Sequence, residues 1–210
     1  MTSSDQSTEP TYADRVFRSS PGIAGGALLL ALALWLGVDA LISGAGSAPW
    51  LALAGLLLVV PLIVAFTLRP AVFASADRVR IRNPFRTITL PWGSVESVRA
   101  GYSTEVLTGS GKRFQMWAVP VSLRQRKRAS RRQARDSMDD PSGRTSVHAD
   151  VTDRARLATA DRTVGDLREL LEQSAIRPTA KGEPQVRWAY EIVGPGLAGL
   201  VLLIVLLAIG

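Results

Sequence analysis

The sequence predicts a membrane protein of the α+β class, in which three transmembrane helices carry one small domain of antiparallel sheet covered by a helix. Two observations lead to this prediction. The apolar residues, 47% of the chain, are concentrated in three long windows. Between the second and third windows, apolar residues recur at every second position, which is the period of a half-buried strand. The length of 210 residues leaves room for one such domain beside the spans.

The first two apolar windows predict a transmembrane helical hairpin over residues 22–69. Each window approaches the roughly 20 apolar residues needed to cross the hydrocarbon core. Between them, residues 43–49 carry no charge and predict a tight turn, and Pro61 predicts a kink in the second helix. Because Gly46-Ser-Ala48 is similar to a small-residue cleavage site, a cleaved signal peptide is the alternative to the first span.

The third apolar window, residues 192–210, predicts the last span. Arg187, Trp188 and Tyr190 precede it, and basic residues with amphipathic rings are typical of the membrane interface. We expect residues 177–191 to be a linker into this span. Residues 1–21 are polar with no apolar period and are expected to be a disordered tail.

The positions of the basic residues predict the orientation of the spans. Arg15, Arg18 and Arg69 flank the open end of the helical hairpin, whereas the turn between its helices has no basic residue. By the positive-inside rule, the N-terminus and the domain after Arg69 are cytoplasmic and the C-terminus is outside. The expected location is the plasma membrane, with several passes.

Residues 78–92 predict a β-hairpin in which the turn is Asn83-Pro-Phe-Arg86, since Asn and Pro favour the first two positions of a type I turn. A hairpin closed by this turn has one apolar and one polar face. Trp92, at its end, is the expected large core residue. The expected cross-strand pairs are Ile81 with Ile88, Val79 with Leu90, Arg80 with Thr89, and Arg82 with Thr87.

A lone hairpin is not stable, so the domain, residues 70–176, needs more strands and a helix. We expect further strands at residues 71–74, 95–98, 105–108 and 113–117. Whether one more strand forms near residues 118–123 is left open. The sequence leaves open whether Val106 or Leu107 faces inward.

Thr163 predicts the start of a helix that covers the sheet. Asp166, three residues on, completes an approximate capping box. The apolar face of this helix is expected to consist of Val164, Leu167, Leu170 and Leu171.

Residues 122–162 predict a basic and then flexible insertion. Its first part, residues 122–135, has seven basic residues and no acid. One interpretation of this charge is a solvated basic helix. The other is contact with anionic headgroups, which would contribute about 1 kcal/mol of binding free energy per basic residue close to a membrane surface. Nucleic-acid binding is not predicted, because the run has no aromatic residue to stack on bases.

Composition excludes several kinds of chemistry. The chain has no cysteine and a single histidine, His148, which removes thiol nucleophiles and Cys-ligated zinc. No glycine-rich phosphate loop is present. The sequence therefore predicts no catalytic, cofactor-binding or metal-binding residue, and the protein is not expected to be an enzyme.

The Asn83-to-Arg86 turn, the Leu90-Pro-Trp92 motif, the later strands and the final helix resemble the bacterial PH-like domains of membrane proteins. The resemblance implies a PH-like small β-barrel or sheet, closed at one end by the C-terminal helix. Phosphoinositide-binding PH domains use a basic first loop between strands. The matching loop here, Ser75 to Arg78, is short and contains Asp77, so that ligand is not implied.

The predicted role is a non-enzymatic interaction module at the inner membrane, which recruits protein partners or self-assembles. Two alternatives are an anionic-lipid surface sensor and an accessory subunit of an envelope enzyme or transporter. No cofactor is expected. The candidate contacts for lipid or partner are Arg78, Arg80, Arg82, Arg86, Arg124, Arg126, Lys127, Arg128, Arg131, Arg132 and Arg135.

Overall fold

The computed structural model describes residues 15–100, 103–119 and 147–209, and for residues 147–160 it describes the backbone only. The described part contains four α-helices and eight strands. The helices are α1 (Ser20–Ser43), α2 (Ala48–Ile63), α3 (Val147–Ser174) and α4 (Tyr190–Ile209).

Three helices among the described residues are long and apolar enough to cross a membrane: Ser20–Ser43, Ala48–Leu68 and Tyr190–Ile209. The second continues from α2 into a π-helical turn, Val64–Leu68, which begins three residues after Pro61. In this turn the Arg69 N–H donates to the Val64 carbonyl at 2.9 Å, five residues back. Proline cannot donate to the helical ladder, so a local change of helix geometry near Pro61 is expected.

Helix α2 packs against both α1 and α4. The contact with α4 is close at Gly199, where an added Cβ would lie 2.7 Å from the Leu57 carbonyl carbon and 3.0 Å from the Ala54 carbonyl oxygen. Small residues at helix contacts allow such close backbone approach in membranes.

The strands form two antiparallel sheets. The larger has the order β1-β2-β3-β4-β8, and its members are β1 (Arg15–Phe17), β2 (Ala71–Ala74), β3 (Arg78–Arg82), β4 (Arg86–Pro91) and β8 (Gln185–Trp188). The smaller has the order β5-β6-β7, with β5 (Val95–Ala100), β6 (Thr104–Thr108) and β7 (Arg113–Gln115).

The predicted register of the first hairpin is confirmed in all four pairs: Val79 with Leu90, Arg80 with Thr89, Ile81 with Ile88 and Arg82 with Thr87. The apolar face of this hairpin is buried. Trp92 is also fully buried, and its indole Nε1 donates to the Ser75 carbonyl at 2.9 Å. A buried indole needs such an acceptor, so the core position and the hydrogen bond belong together.

In the second hairpin, Val106 pairs with Phe114 and is fully buried, so Val106 and not Leu107 faces inward. Gly111, in the turn, has a φ of +77°, a conformation that glycine adopts without strain. Residues 118–119 form no strand, and the rest of the predicted extra strand, residues 120–123, lies outside the described residues.

Two predictions about the ends of the domain were wrong. The tail of residues 1–21 was expected to be disordered, but within it Arg15–Phe17 pairs with β2 and α1 already begins at Ser20; residues 1–14 lie outside the described residues. Residues 177–191 were expected to be a linker, but Gln185–Trp188 pairs with β4. Both strands are short and lie at the edges of the sheet. A strand there makes main-chain hydrogen bonds to one neighbour only and needs little apolar burial.

The helix over the sheet also begins earlier than predicted. It runs from Val147, so Thr163 lies inside it and is not its N-cap, and the expected flexible insertion is helical from residue 147 onwards. Residues 147–162 contain no glycine or proline and include several alanines, so a helix can continue through them. The predicted apolar face is confirmed: Val164 and Leu167 are buried in the core, and Leu170 and Leu171 pack against it.

One buried polar side chain joins the two sheets. Asn83 is 3% exposed; its Nδ2 donates to the Gln115 carbonyl at 2.8 Å, and its Oδ1 accepts from the Trp117 N–H at 3.3 Å. The turn of the first hairpin is thereby held against the end of the second sheet.

Candidate functional site

The polar face of the first hairpin is a row of arginines. Because side chains alternate along a strand, Arg78, Arg80 and Arg82 of β3 lie on the face opposite the buried Val79 and Ile81. Across from them, Thr87 and Thr89 of β4 lie on the same outer face. The face is therefore rich in donors.

Strand β8 extends this face by one more strand. Arg187 pairs with Thr87, and Gln185 pairs with Thr89. Together these residues line an open groove of about 620 Å³, the arginine groove. Its lining residues are Arg69, Arg78, Arg80, Arg82, Thr87, Thr89, Gln185, Arg187, Trp188 and Glu191.

Arg69 closes the groove at the end next to the helices. Its Nε donates to the Asn83 carbonyl at 3.2 Å and its Nη2 donates to the Thr87 hydroxyl at 3.3 Å. Its Nη1 donates to the Glu191 carboxylate at 2.9 Å. One guanidinium thus connects the end of α2, the first hairpin and the start of α4.

Phe73 of β2 supports the arginines from the neighbouring strand. The guanidinium carbons of Arg80 and Arg82 each lie 4.8 Å from the centre of its ring, and that of Arg18 lies at 5.9 Å. Cations over an aromatic face are attracted by the ring quadrupole. Phe73 therefore helps to hold these side chains in place over the sheet.

The groove concentrates positive charge. Burial, followed by the nearby Arg80, Arg69 and Arg18 guanidiniums, lowers the pKa of Arg82, and Glu191 only partly offsets this. An arginine still stays charged at any physiological pH. Five arginines line this one groove, and an anion bound there would relieve part of their mutual repulsion.

Residues 69–179, more than half of the chain, match the family model of the bacterial PH domain. The chain belongs to this family. Comparisons with curated proteins and with solved structures found no match. The PH domain so defined begins at Arg69 and ends just after α3, so it excludes β1 and β8. The arginine groove is therefore formed partly by the PH domain and partly by residues that follow it.

The first loop of the PH domain makes hydrogen bonds and an ion-pair contact within the protein. The Ser75 N–H donates to the Arg78 carbonyl at 3.0 Å. Asp77 accepts from the Thr179 hydroxyl at 2.6 Å and lies 3.8 Å from the Arg177 guanidinium. The Ser75 N–H and the Asp77 carboxylate are therefore both engaged by contacts within the protein.

The structure brings together three of the four predicted hairpin arginines. Arg78, Arg80 and Arg82 line the groove, whereas Arg86, two residues before the buried Ile88, belongs to the opposite face of β4. The predicted register already contained this signal, because it placed Ile88 inward. The seven predicted residues of the basic segment lie outside the described residues: Arg124, Arg126, Lys127, Arg128, Arg131, Arg132 and Arg135.

Sequence reasoning missed Arg69 and Arg187 as site residues. Both had been read only as markers of the membrane interface. That shared position was the available signal, because two basic residues at the same level beside two spans can meet. Among the described residues, no group of three or more His, Cys, Asp or Glu is placed to hold a metal ion.

Proposed function

We propose that this protein is a non-enzymatic, inner-membrane-anchored PH-domain interaction module that recruits a protein partner at the cytoplasmic face. The observation that carries the proposal is the free edge strand β8, which leads directly into the span α4. All four of its residues are exposed, and its outer side pairs with no described strand. An open strand edge offers main-chain donors and acceptors to an extended segment of another protein.

The attachment to the spans supports a fixed position for this edge. Ala189, between β8 and α4, is buried, and its N–H donates to the Phe85 carbonyl at 2.9 Å. The Arg69–Glu191 ion pair lies beside it. An edge held this close to a span is presented at a constant height above the bilayer.

The distribution of charge supports the cytoplasmic orientation. Arg15 and Arg18 precede α1, and the pairing of β1 with β2 requires this segment to lie on the same side of the membrane as the PH domain. Arg69 and Arg187 lie on that side as well, whereas the turn between α1 and α2 has no charge. The positive-inside rule then favours the cytoplasm.

Site-specific photo-crosslinking in native membranes tests the proposal. A benzophenone amino acid replaces Val186 on β8, which is 44% exposed, in the full-length protein. The matched control carries the same group at Val16, which is 50% exposed on the opposite edge strand β1. We expect a discrete crosslinked protein from position 186 and a much weaker product from position 16.

The mass of the product identifies its source. A band at twice the mass of the chain indicates self-assembly through β8, and any other discrete band indicates recruitment of a different protein. Equal products from both positions, or no product from position 186, would contradict the proposal.

A further inference from the structure

We propose that the arginine groove binds the phosphate of an anionic phospholipid headgroup from the adjacent leaflet. This proposal rests on the membrane placement in the proposed function. It names a ligand for the outer face of the larger sheet, which includes side chains of β8 but not the free main-chain edge of that strand. The argument has three parts: the charge of the groove, its donors and its position beside the spans.

The charge of the groove favours an anion. Five guanidinium groups and one carboxylate line it, and that carboxylate, Glu191, is already bonded to Arg69. Burial lowers the pKa of Arg82, and the like charges of Arg80 and Arg69 lower it further. A bound phosphate would remove part of this repulsion.

The donors match a phosphate in geometry as well as in sign. Guanidinium groups bind phosphate oxygens through two parallel N–H donors, which makes arginine better suited than lysine to this ligand. Thr87, Thr89 and Gln185 add hydroxyl and amide donors on the same face. Phe73 orders Arg80 and Arg82 before any ligand arrives, which lowers the entropic cost of binding.

The position of the groove favours a lipid over a soluble acidic peptide. Its near end, formed by Arg69, Arg82 and Arg187, lies where α2 ends and α4 begins. Its far end, at Arg78, lies four residues further along β3, about 13 Å away at roughly 3.3 Å per residue. A phosphate held at headgroup level therefore meets the near end first.

Exposed aromatic residues surround the near end. Trp188 and Tyr190 are exposed beside it, and Phe66, at the end of the second apolar helix, stacks edge-on against Trp117 at 5.5 Å between ring centres. Amphipathic rings at this level are characteristic of the headgroup region.

The test uses the full-length protein in detergent, with bound lipid counted by native mass spectrometry. The probes are phosphatidylglycerol, which is anionic, and phosphatidylcholine, which is zwitterionic with the same phosphate. We expect the unaltered protein to retain phosphatidylglycerol preferentially. We expect Arg82→Gln with Arg187→Gln to reduce this retention about tenfold, since each basic residue near a surface contributes substantially to anionic-lipid binding.

The matched control is Arg86→Gln with Arg113→Gln. It removes the same number of charges from the opposite face of β4 and from the exposed end of β7. Retention by the control should stay near that of the unaltered protein. Equal loss in both double variants would overturn the proposal, because it would show a general effect of net charge.

Three further outcomes would also overturn it. The first is equal retention of both lipids by the unaltered protein, which does not depend on any variant folding. The second is displacement of phosphatidylglycerol by low-millimolar inorganic phosphate, which would assign the groove to a soluble phosphate. The third is a loss of phosphatidylglycerol retention in Arg78→Gln alone as large as that in the Arg82→Gln, Arg187→Gln double variant. That result would place the ligand at the far end of the groove, away from the spans.

The result is separable from that of the proposed function. Carbonate extraction of membranes and crosslinking from position 186 test anchoring and partner binding without reference to lipid charge. If those succeed and lipid preference fails, only the groove proposal is wrong. If the chain is extracted by carbonate, its anchoring in the proposed function is wrong, whatever the groove binds.

Discussion

At the scale of single residues, Asn83 shows how one side chain can serve two structural purposes. The sequence suggested it as a turn residue, and it does begin the turn between β3 and β4. Its side chain also satisfies a carbonyl and an N–H at the end of the second sheet. A buried polar group that loses such a hydrogen-bond partner still carries the full free-energy cost of its removal from water.

Replacing Asn83 with Ala should therefore lower the free energy of unfolding by about 1–3 kcal/mol, because the Gln115 carbonyl and the Trp117 N–H lose their partner. The thermal unfolding midpoint of the full-length protein in detergent measures this loss. The control is Ser110→Ala, which removes one hydroxyl contact, with Thr108, from an exposed turn. Equal midpoints for the two variants would contradict the structural role of Asn83.

The arginines illustrate the limit of residue-level prediction. Alternation along β3 was enough to predict that Arg78, Arg80 and Arg82 share a face. Nothing local connects Arg69 with Arg187, which are far apart in sequence and line one groove only because each lies where an apolar helix joins the larger sheet. The proximity of Phe73 likewise depends on the pairing of β2 with β3.

At the scale of elements, the contact between α2 and α4 depends on a missing side chain. Gly199 allows the helix backbones to approach so closely that a Cβ would meet the main chain at Leu57 and Leu58. Backbone atoms cannot move aside as a flexible side chain can. The helices would have to separate.

Gly199→Ala should therefore destabilise the helix pair by roughly 1–3 kcal/mol, the usual cost of overpacking a tight contact. The matched control is Gly194→Ala on the same helix, where an added Cβ would meet nothing within 4 Å. Both replacements raise intrinsic helix propensity equally. A thermal midpoint for Gly199→Ala at or above that of Gly194→Ala would refute the close contact.

Elements with a strong period were predicted well, and elements without one were not. The register of β3 and β4 followed from apolar alternation, because a slip of one residue would turn every core side chain outward. Strand β8 offers only one short alternation, Gln185-Val-Arg-Trp188, which is too brief to mark a strand, and all four residues are exposed, so no buried face accompanies it. The start of α3 was misplaced because a local capping pattern at Thr163 was taken as a boundary although nothing before it breaks a helix.

At the scale of the whole molecule, Arg69 joins the apolar helices to the PH domain. Its three hydrogen bonds reach a turn, a strand and the first turn of α4. A planar guanidinium can make these three contacts at once, whereas an ammonium is a compact point charge with a different geometry. The joint should therefore depend on the shape of this side chain as well as on its charge.

Arg69→Lys should keep the charge but loosen the joint. We expect hydrogen exchange at the Ala189 amide, which donates to Phe85, to become about tenfold faster, as loss of roughly 1.4 kcal/mol of local stability would cause. Arg113→Lys, at an exposed position of the smaller sheet, is the control and should leave this rate unchanged. Unaltered exchange in Arg69→Lys would show that the guanidinium geometry of Arg69 contributes nothing to the joint beyond its charge.

The order of the larger sheet has a consequence for biosynthesis. Its edge strands come from opposite ends of the described chain, one before the first apolar helix and one just before the last. At about 5–20 residues per second, β4 waits on the order of 5–20 s after its synthesis before β8 exists to cover it. During that interval the nascent domain exposes one unpaired edge of β4, and completion of the sheet is coupled to synthesis of the segment that leads into the last helix.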